Sequence, residues 1–559
     1  MTVARLFKEP LSPVDSAWLR IGTPANLAMI TGVITFSEAL DYDRLVATFD
    51  ARLSPYKRFR QRVREPLIGP PYWEMDANFD IHNHVYKISL PEPGDHETLQ
   101  NVASEMMSIP LDMSKPLWEL HYVDNYSEGG ALICRLHHCI ADGIALIQVL
   151  LSTADVQPDA PWPMPPEENY SRPGFSGLSP LARLFVPAVK TIRVVQNQWR
   201  GARHLLHEGF DTLFDTGKML ELTRKGADGS TALGKLLLLP PDRRTILKGQ
   251  CGIPKRAVWS KAIKVEDVKT VGKSMGGTIN DILLSAMTGA LRRYMLDREQ
   301  ALDGLNIRAI VPVDLRTDAD FGQLGNRFGL VFLSLPVGID DPKKRFLVLK
   351  KRMDAIKDTP EAVAAFGILA FMGINPRRIE NIIRGIFGLK GTAVMTNVPG
   401  PREPLYMAGG QIDGLMFWVP TPANISLGVS IISYAGEVLV GVATDEGIIP
   451  DPERIIDAFQ DEFETLRNLH SAPDPAEAPV EYAVPKGVDE VITEPALDEE
   501  NESDETGQLE LAKTEQPDEP VEDSMQKAGM CQAMTKKGAP CKNRALVGSA
   551  YCRVHSTFG

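Results

Sequence analysis

The residues best suited to chemistry lie in one short stretch, Ala131-Leu-Ile-Cys-Arg-Leu-His-His-Cys-Ile-Ala-Asp-Gly143. Residues 131–138 read as a strand, bounded by the turn Ser127-Glu-Gly-Gly130 and preceded by a second strand around Trp118–Val123. Side chains alternate along a strand, so Leu132, Cys134, Leu136 and His138 share one face and His137 points the other way. Only one of the paired histidines can then face a given cavity. A neutral imidazole beside a hydroxyl substrate can act as general base, a role worth roughly two to four orders of magnitude in rate. Asp142 and Gly143 follow and open the apolar run Ile144–Leu151, which reads as a helix. A strand, a turn carrying His and Asp, and a helix start present an imidazole rigidly. A lone histidine at a strand end more often satisfies backbone groups, and the spacing His137-His138-x3-Asp142-Gly143 is what sets this pair apart.

Two other groups of polar residues stand out. Thr278-Ile-Asn-Asp281 opens a helix over 282–296, and Thr278 with Asp281 has the shape of a capping box built with Asp in place of Glu. That is a sufficient structural reason for Asp281. It is none for Asn280, a poor helix former inside the first turn. The C-terminal end carries Cys531, Cys541, Cys552 and His555 within 25 residues.

The elements that must position these groups are α/β in pattern. A strand over 29–36 and a helix over 41–53 precede the hairpin at 118–138, which suggests a mixed sheet with helices on it. After a proline-rich linker at 157–175, residues 181–206 have a helical apolar pattern, with six Lys/Arg and no acid between Arg172 and Arg203. A membrane-surface helix and a packed crossover helix both fit that pattern. From about Arg256 a second domain begins, with strands over 309–313, 330–335, 393–396, 425–434 and 437–444 and a helix to Leu469. The organisation expected is an N-terminal domain at 1–156, a linker and crossover helices at 157–255, and a second domain at 256–470. An acidic linker at 471–525 and a small tail at 526–559 follow.

A chain of 559 residues is too long for one ordinary core. Residues 471–525 hold 18 acids against two lysines and the last 34 residues hold six cations and no acid, so of the total charge of −13 the first 470 residues keep −3. Nothing in this near-neutral body points to nucleic acid. The acidic stretch has the composition of a disordered linker. Residues 1–10 have no apolar core of a leader, and the uncharged run 414–436 holds Pro420, Pro422 and Asn424, so it reads as strands and turns. The scattered Cys134, Cys139 and Cys251 suggest a reducing, cytoplasmic setting.

The motif at 137–143 resembles that of acyltransferases related to chloramphenicol acetyltransferase and of peptide-synthetase condensation domains. Further blocks narrow the likeness: Pro116-Leu117-Trp118, Asn280-Asp281, Val311-Pro-Val-Asp-Leu-Arg316, Asn397-Val-Pro-Gly-Pro401 and Arg402-Glu-Pro-Leu-Tyr406. Together, over about residues 1–470, they resemble bacterial wax ester synthase/diacylglycerol acyltransferases. The resemblance implies two chloramphenicol-acetyltransferase-like mixed-sheet domains around a central channel. Acyl-CoA would enter from one side and a long-chain alcohol or diacylglycerol from the other, at an enzyme lying peripherally on the inner membrane face or on lipid inclusions. It implies that His138 is the base, that Asp142 and Gly143 shape the turn without touching substrate, and that Asn280 is functionally important. Pro116, Leu117 and Trp118 would border the substrate channel. An ion pair from Asp142 to an arginine elsewhere is expected, its partner open. Ester formation from a thioester needs no cofactor; side-chain amides or backbone N–H groups suffice for the oxyanion. The rival readings are a condensation-domain-like enzyme, a glycerolipid acyltransferase with a His-x4-Asp signature, and a non-catalytic lipid-binding or droplet-associated protein.

The tail lies outside that resemblance. Three Cys and one His make a closed zinc set, and a module this short has too little core to fold unaided. Only Cys552-x2-His555 has a familiar zinc spacing, and a basic, cysteine-bearing disordered end is the plainer reading. The expectation is one structural Zn²⁺ on Cys531, Cys541, Cys552 and His555, dispensable for catalysis. Metal analysis of the full chain against a variant with Cys541→Ser and Cys552→Ser should show one zinc lost with activity retained. Equal zinc in both rules the site out.

Overall fold

The structure, a computed structural model, describes residues 8–161, 239–316, 324–357, 361–374, 384–385 and 388–471. The basic stretch at 172–203, the acidic linker and the cysteine tail lie outside these residues. The motif strand is β7 (Gly129–His137), buried along almost its whole length and sandwiched between β2 (Met29–Phe36) and β6 (Trp118–Tyr126), both antiparallel to it. Parallel pairing of β5 (Val85–Ile88) with β6 makes this sheet mixed, as expected. Its other edge comes from far along the chain. There β14 (Gly410–Trp418) pairs antiparallel with β2, and β13 (Tyr406–Met407) pairs with β14. A linear partition at residues 156 and 256 leaves out this exchange of strands.

The second sheet is also mixed, in the order β11-β10-β12-β15-β16-β8. Its members are β8 (Lys255–Trp259), β10 (Ile307–Asp314), β11 (Phe328–Leu335), β12 (Ala393–Pro399), β15 (Leu427–Tyr434) and β16 (Glu437–Asp445), with β9 (Ile263–Lys264) beside β16. The parallel pairs β10–β12 and β12–β15 bring the ends of the Val311–Arg316 and Asn397–Pro401 blocks side by side. Alternation along β10 sends Ile307 and Ala309 into the core of the second half, and Ile310 to the core shared with the first. A small third sheet joins β1 (Glu9–Pro10), β4 (Tyr72–Met75) and β3 (Gln61–Arg64).

Three helix starts fix the site. Helix α1 (Pro13–Ile21) has Pro at its first position and Ser12 as cap, the Ser12 hydroxyl accepting from the Asp15 N–H at 3.1 Å. Between them lie α2 (Tyr42–Arg52) and α3 (His96–Met107). Helix α4 (Gly143–Leu151) is capped by Asp142, whose Oδ1 accepts from the Ala145 N–H at 3.1 Å. After α5 (Val265–Ser274), α6 (Ile279–Leu296) begins with the expected capping box of Thr278 and Asp281. Later come α7 (Pro342–Lys357), α8 (Glu361–Ile374) and α9 (Glu453–Ser471). Helix α8 packs on α1 so closely that a Cβ at Gly373 would lie 1.6 Å from the Pro13 carbonyl oxygen, so only glycine fits there. The two halves thus share one hydrophobic core across the site. No helix among the described residues is long and apolar enough to cross a membrane.

Candidate active site

The expected strand ends one residue early. The His137 carbonyl accepts from the Ile140 N–H at 3.0 Å, so the chain turns at His138, whose N–H is held by the Ala28 carbonyl at 2.8 Å. The two histidines still diverge. His137 Nδ1 accepts from the Cys139 N–H at 3.2 Å, and its ring takes no part in the cavity wall. His138 lies 3% exposed on the wall of an apolar cavity between the sheets, stacked on Trp18 with ring centroids 3.9 Å apart and flanked by Phe328 at 5.6 Å. Ile310, Val394, Phe417 and Val419 form much of the remaining wall, with Asp142, Asp314, Thr396 and Asn397 as polar points. Burial pulls the His138 pKa down to about 4, against the opposing pull of Asp142, its own carbonyl and Asn326. Burial and the neighbouring His138 take His137 to about 3. Both imidazoles are therefore neutral at pH 7. His138 Nδ1 is enclosed without a hydrogen bond, so Nε2 is the nitrogen left for the cavity.

Asp142 does more than cap α4. Arg316 grips it with both ends of its guanidinium, Nη1 to Oδ1 at 2.8 Å and Nη2 to Oδ2 at 2.6 Å, and the Arg327 N–H donates to Oδ2 at 3.0 Å. The partner left open by the sequence is thus Arg316, at the end of β10. The pair is buried on both sides and joins the histidine turn to the second sheet. Arg316 also donates to the Gly325 carbonyl at 2.7 Å and approaches Asp314 at 3.4 Å. Burial opposes the guanidinium charge, but Asp142 and Asp314 outweigh it and hold Arg316 above its ordinary pKa. Burial raises the Asp314 carboxyl, with nearby Asp142 adding to the effect.

A second link across the halves reaches His138 from behind. Asn326 Nδ2 donates to the His138 carbonyl at 2.8 Å and to Asp15 Oδ1 at 2.8 Å, and the Asn326 N–H also donates to Asp15 Oδ1 at 3.3 Å. Burial raises the Asp15 carboxyl, against Asn326, Ser12 and Arg58. The backbone of the histidine is therefore clamped from α1 and from the loop before β11.

The remaining expected residues divide. Asn280 accepts from Asn397 Nδ2 at 2.8 Å, and Asn397 is on the cavity wall, so Asn280 sits one side chain behind the site. Asp281 faces its own helix start, accepting from the Thr278 N–H and hydroxyl, both at 2.8 Å. Gly143 lies on the wall, where an added Cβ would meet Val419 at 3.5 Å. The channel role expected for Pro116, Leu117 and Trp118 does not match their placement, because none of them lines this cavity. Leu117 and Trp118 are wholly buried. The Trp118 ring stacks on His84 at 4.4 Å with its N–H on the Phe59 carbonyl at 2.8 Å, while the Leu117 carbonyl accepts from the His137 N–H. Cys531, Cys541, Cys552 and His555 lie outside the described residues, and among the described ones no three His, Cys, Asp or Glu converge to hold a metal. Sequence reasoning missed Asp15, Trp18 and Asn326 as site residues. Trp18 and Asn326 are marked out only by contact with His138, and Asp15 only by its hydrogen bonds from Asn326.

Solved structures share this two-halved fold. A wax ester synthase/diacylglycerol acyltransferase from Marinobacter aquaeolei VT8 superposes with a TM-score of 0.57 at 20% identity, over 83% of this chain and all of the other. The first condensation domain of the calcium-dependent antibiotic synthetase superposes with a TM-score of 0.51 at 13% identity, over 83% of this chain and 97% of its own. The family is shown by sequence: residues 11–283 match the wax ester synthase/diacylglycerol acyltransferase catalytic domain and residues 324–467 match the WS/DGAT C-terminal domain, and the chain belongs to that family. Among its curated relatives, the probable diacylglycerol O-acyltransferase tgs1 of Mycobacterium tuberculosis is 25% identical over 461 residues, covering 81% of this chain and 94% of the relative. The probable diacylglycerol O-acyltransferase tgs2 of the same organism is 27% identical over 477 residues, covering 82% and 98%.

The depressed pKa of His138 sets a pH test. A base must be neutral, so with His138 in that role activity should fall only as pH drops through about 4. At pH 5.5 an unperturbed imidazole would be about nine-tenths protonated. The rate should stay level from pH 8 down to 5.5, measured as kcat/KM, and a fall centred near 6.5 contradicts the assignment. Stability moves in the same direction. Between about pH 6.5 and 4 the unfolded chain takes up a proton that the folded site refuses, so the fold weakens as pH falls through that window.

Proposed function

We propose that the protein transfers a fatty acyl group from acyl-CoA to the hydroxyl of a long-chain alcohol or a diacylglycerol, forming wax esters, triacylglycerol or both, with His138 as general base. Membership of the family and the names of its relatives support an acyl-CoA-dependent O-acyltransferase. The observation that carries the residue assignment is a neutral, buried imidazole on the wall of an apolar cavity, locked by neighbours from both halves. Nε2 takes the acceptor's hydroxyl proton as its oxygen attacks the thioester carbonyl. The tetrahedral intermediate collapses with loss of the CoA thiolate, which takes the proton back from the imidazolium. No covalent enzyme intermediate and no metal enter this sequence.

The developing oxyanion needs a fixed donor. An amide has two N–H donors, and Asn397 spends one on Asn280, leaving the other for the cavity. On this reading Asn397 is the oxyanion donor and Asn280 the residue that holds it. The apolar walls suit acyl chains on both substrates, since each buried CH2 contributes roughly 0.8 kcal/mol. A lipid acceptor also requires access to a lipid surface, so the enzyme works peripherally at the inner face of the membrane or on lipid inclusions.

Purified protein given labelled acyl-CoA with either a long-chain alcohol or a diacylglycerol should release CoA and form ester. His138→Ala should lower turnover at least about a hundredfold with the fold intact. His137→Ala should cost much less. Asn397→Ala should lower kcat by about a hundredfold or more, with a smaller loss in Asn280→Ala. Equal turnover of His138→Ala and parent ends the base assignment, and no ester with either acceptor ends the proposed reaction.

A further inference from the structure

The hairpin between β3 and β4 carries an apolar tip that neither the core nor the cavity uses. Its connection reads Glu65-Pro-Leu-Ile-Gly-Pro-Pro71, and Leu67 and Ile68 are exposed at 107% and 93% of their reference area. The tip stands clear of the body: a Cβ added at Gly69, where φ is +107°, would meet only the Pro66 ring within 4 Å. Prolines 66, 70 and 71 restrict the backbone on both sides of the pair, so the tip keeps its shape without packing. A Leu-Ile pair held out into water costs the folded protein favourable burial and contributes nothing to its core.

The charge around the tip is as informative as its apolarity. Residues 57–75 hold five Lys/Arg against two Glu, on a body that is slightly acidic. Lys57, Arg60 and Arg64 are exposed. Arg64, three residues from Leu67, shares Glu74 with Arg62 at 2.9 and 3.0 Å, and Arg58 pairs with Glu9 at 2.6 Å, so the cations outnumber the acids that hold them. Lys8 adds a further cation over the Tyr72 ring at 4.8 Å. The base of the hairpin is tied to the site, because Glu65 pairs with Arg20 at 3.5 Å and Arg20 belongs to α1, the helix that lays Trp18 against His138.

We infer that Leu67 and Ile68 insert into a phospholipid surface bearing anionic headgroups, with the basic hairpin resting on those headgroups. This rests on the reading above that the acceptor is a lipid, and it names the part of the chain that meets the surface supplying it. Apolar insertion and electrostatic attraction reinforce each other in such contacts, and the second component weakens with salt. The tip then docks on the membrane beside the helix that forms one wall of the cavity.

The test uses the full chain and sedimentation with vesicles of phosphatidylcholine alone or mixed equally with phosphatidylglycerol. Parent protein should bind the mixed vesicles, less so in high salt. A variant with Leu67→Asn and Ile68→Asn should bind at least about tenfold more weakly. Its turnover of acyl-CoA with a water-soluble short-chain alcohol should equal the parent's. Arg64→Gln should weaken binding to the mixed vesicles and leave binding to neutral ones unchanged. Undiminished binding of the Asn variant overturns the inference. So does a change in its oligomeric state by sedimentation equilibrium without a change in vesicle binding, which would make the tip a contact between copies. Loss of turnover in parent and variant alike would strike the proposed reaction, with vesicle binding still deciding the role of the tip.

Discussion

The buried pair of Asp142 and Arg316 is the interaction on which the site depends. Asp142 begins helix α4 immediately after the histidine turn, and Arg316 ends β10 of the other sheet. One carboxylate therefore fixes the start of a helix, the direction of the turn and the docking of the two halves. Two charges taken from water are costly, and the cost is met here by bidentate geometry and by the Ala145 and Arg327 N–H groups on the remaining carboxylate positions. Removing either partner would take the main counter-charge from the other, leaving Arg316 with its longer contact to Asp314 at 3.4 Å. The clamp from Asp15 through Asn326 to the His138 carbonyl repeats the design, again joining both halves to one residue.

The same low-polarity surroundings explain the state of His138. An imidazole stacked on Trp18 and facing aliphatic walls is easier to keep neutral than charged. As the proposed base, so depressed an imidazole is intrinsically weak, but it stays unprotonated near neutral pH, and its conjugate acid would readily return the proton to the departing thiolate. On the proposed function, the cavity that depresses it would also receive the acyl chains. Both the proposed binding of lipid and the neutrality of His138 thus rest on one property of the wall.

Much of this was legible in the chain. The periodicities at 29–36 and 282–296 and the capping box at Thr278 gave elements close to those observed. The histidine motif was legible because its members are neighbours in sequence. What could not be read were partnerships over distance: Arg316 meets Asp142 across 174 positions and Asn326 meets Asp15 across 311. Alternation of side chains likewise says that β14 is a strand and nothing about its joining the first sheet. Pro116-Leu117-Trp118 was open to misreading because apolar residues line channels and fill cores alike, and only burial separates the two. Asn280 was marked by a mismatch, an amide where a helix prefers other residues, and it reaches out to Asn397.

The most direct test of this account is a double-mutant cycle on Asp142→Asn and Arg316→Gln, read in both unfolding free energy and kcat. Each single change should cost about 3–5 kcal/mol by removing the main partner of a buried charge. The double variant should lose clearly less than the two together, and turnover should fall in all three. Additive losses with no coupling, or a single variant of parental stability and turnover, would show that the halves and the histidine turn are held by something other than this pair.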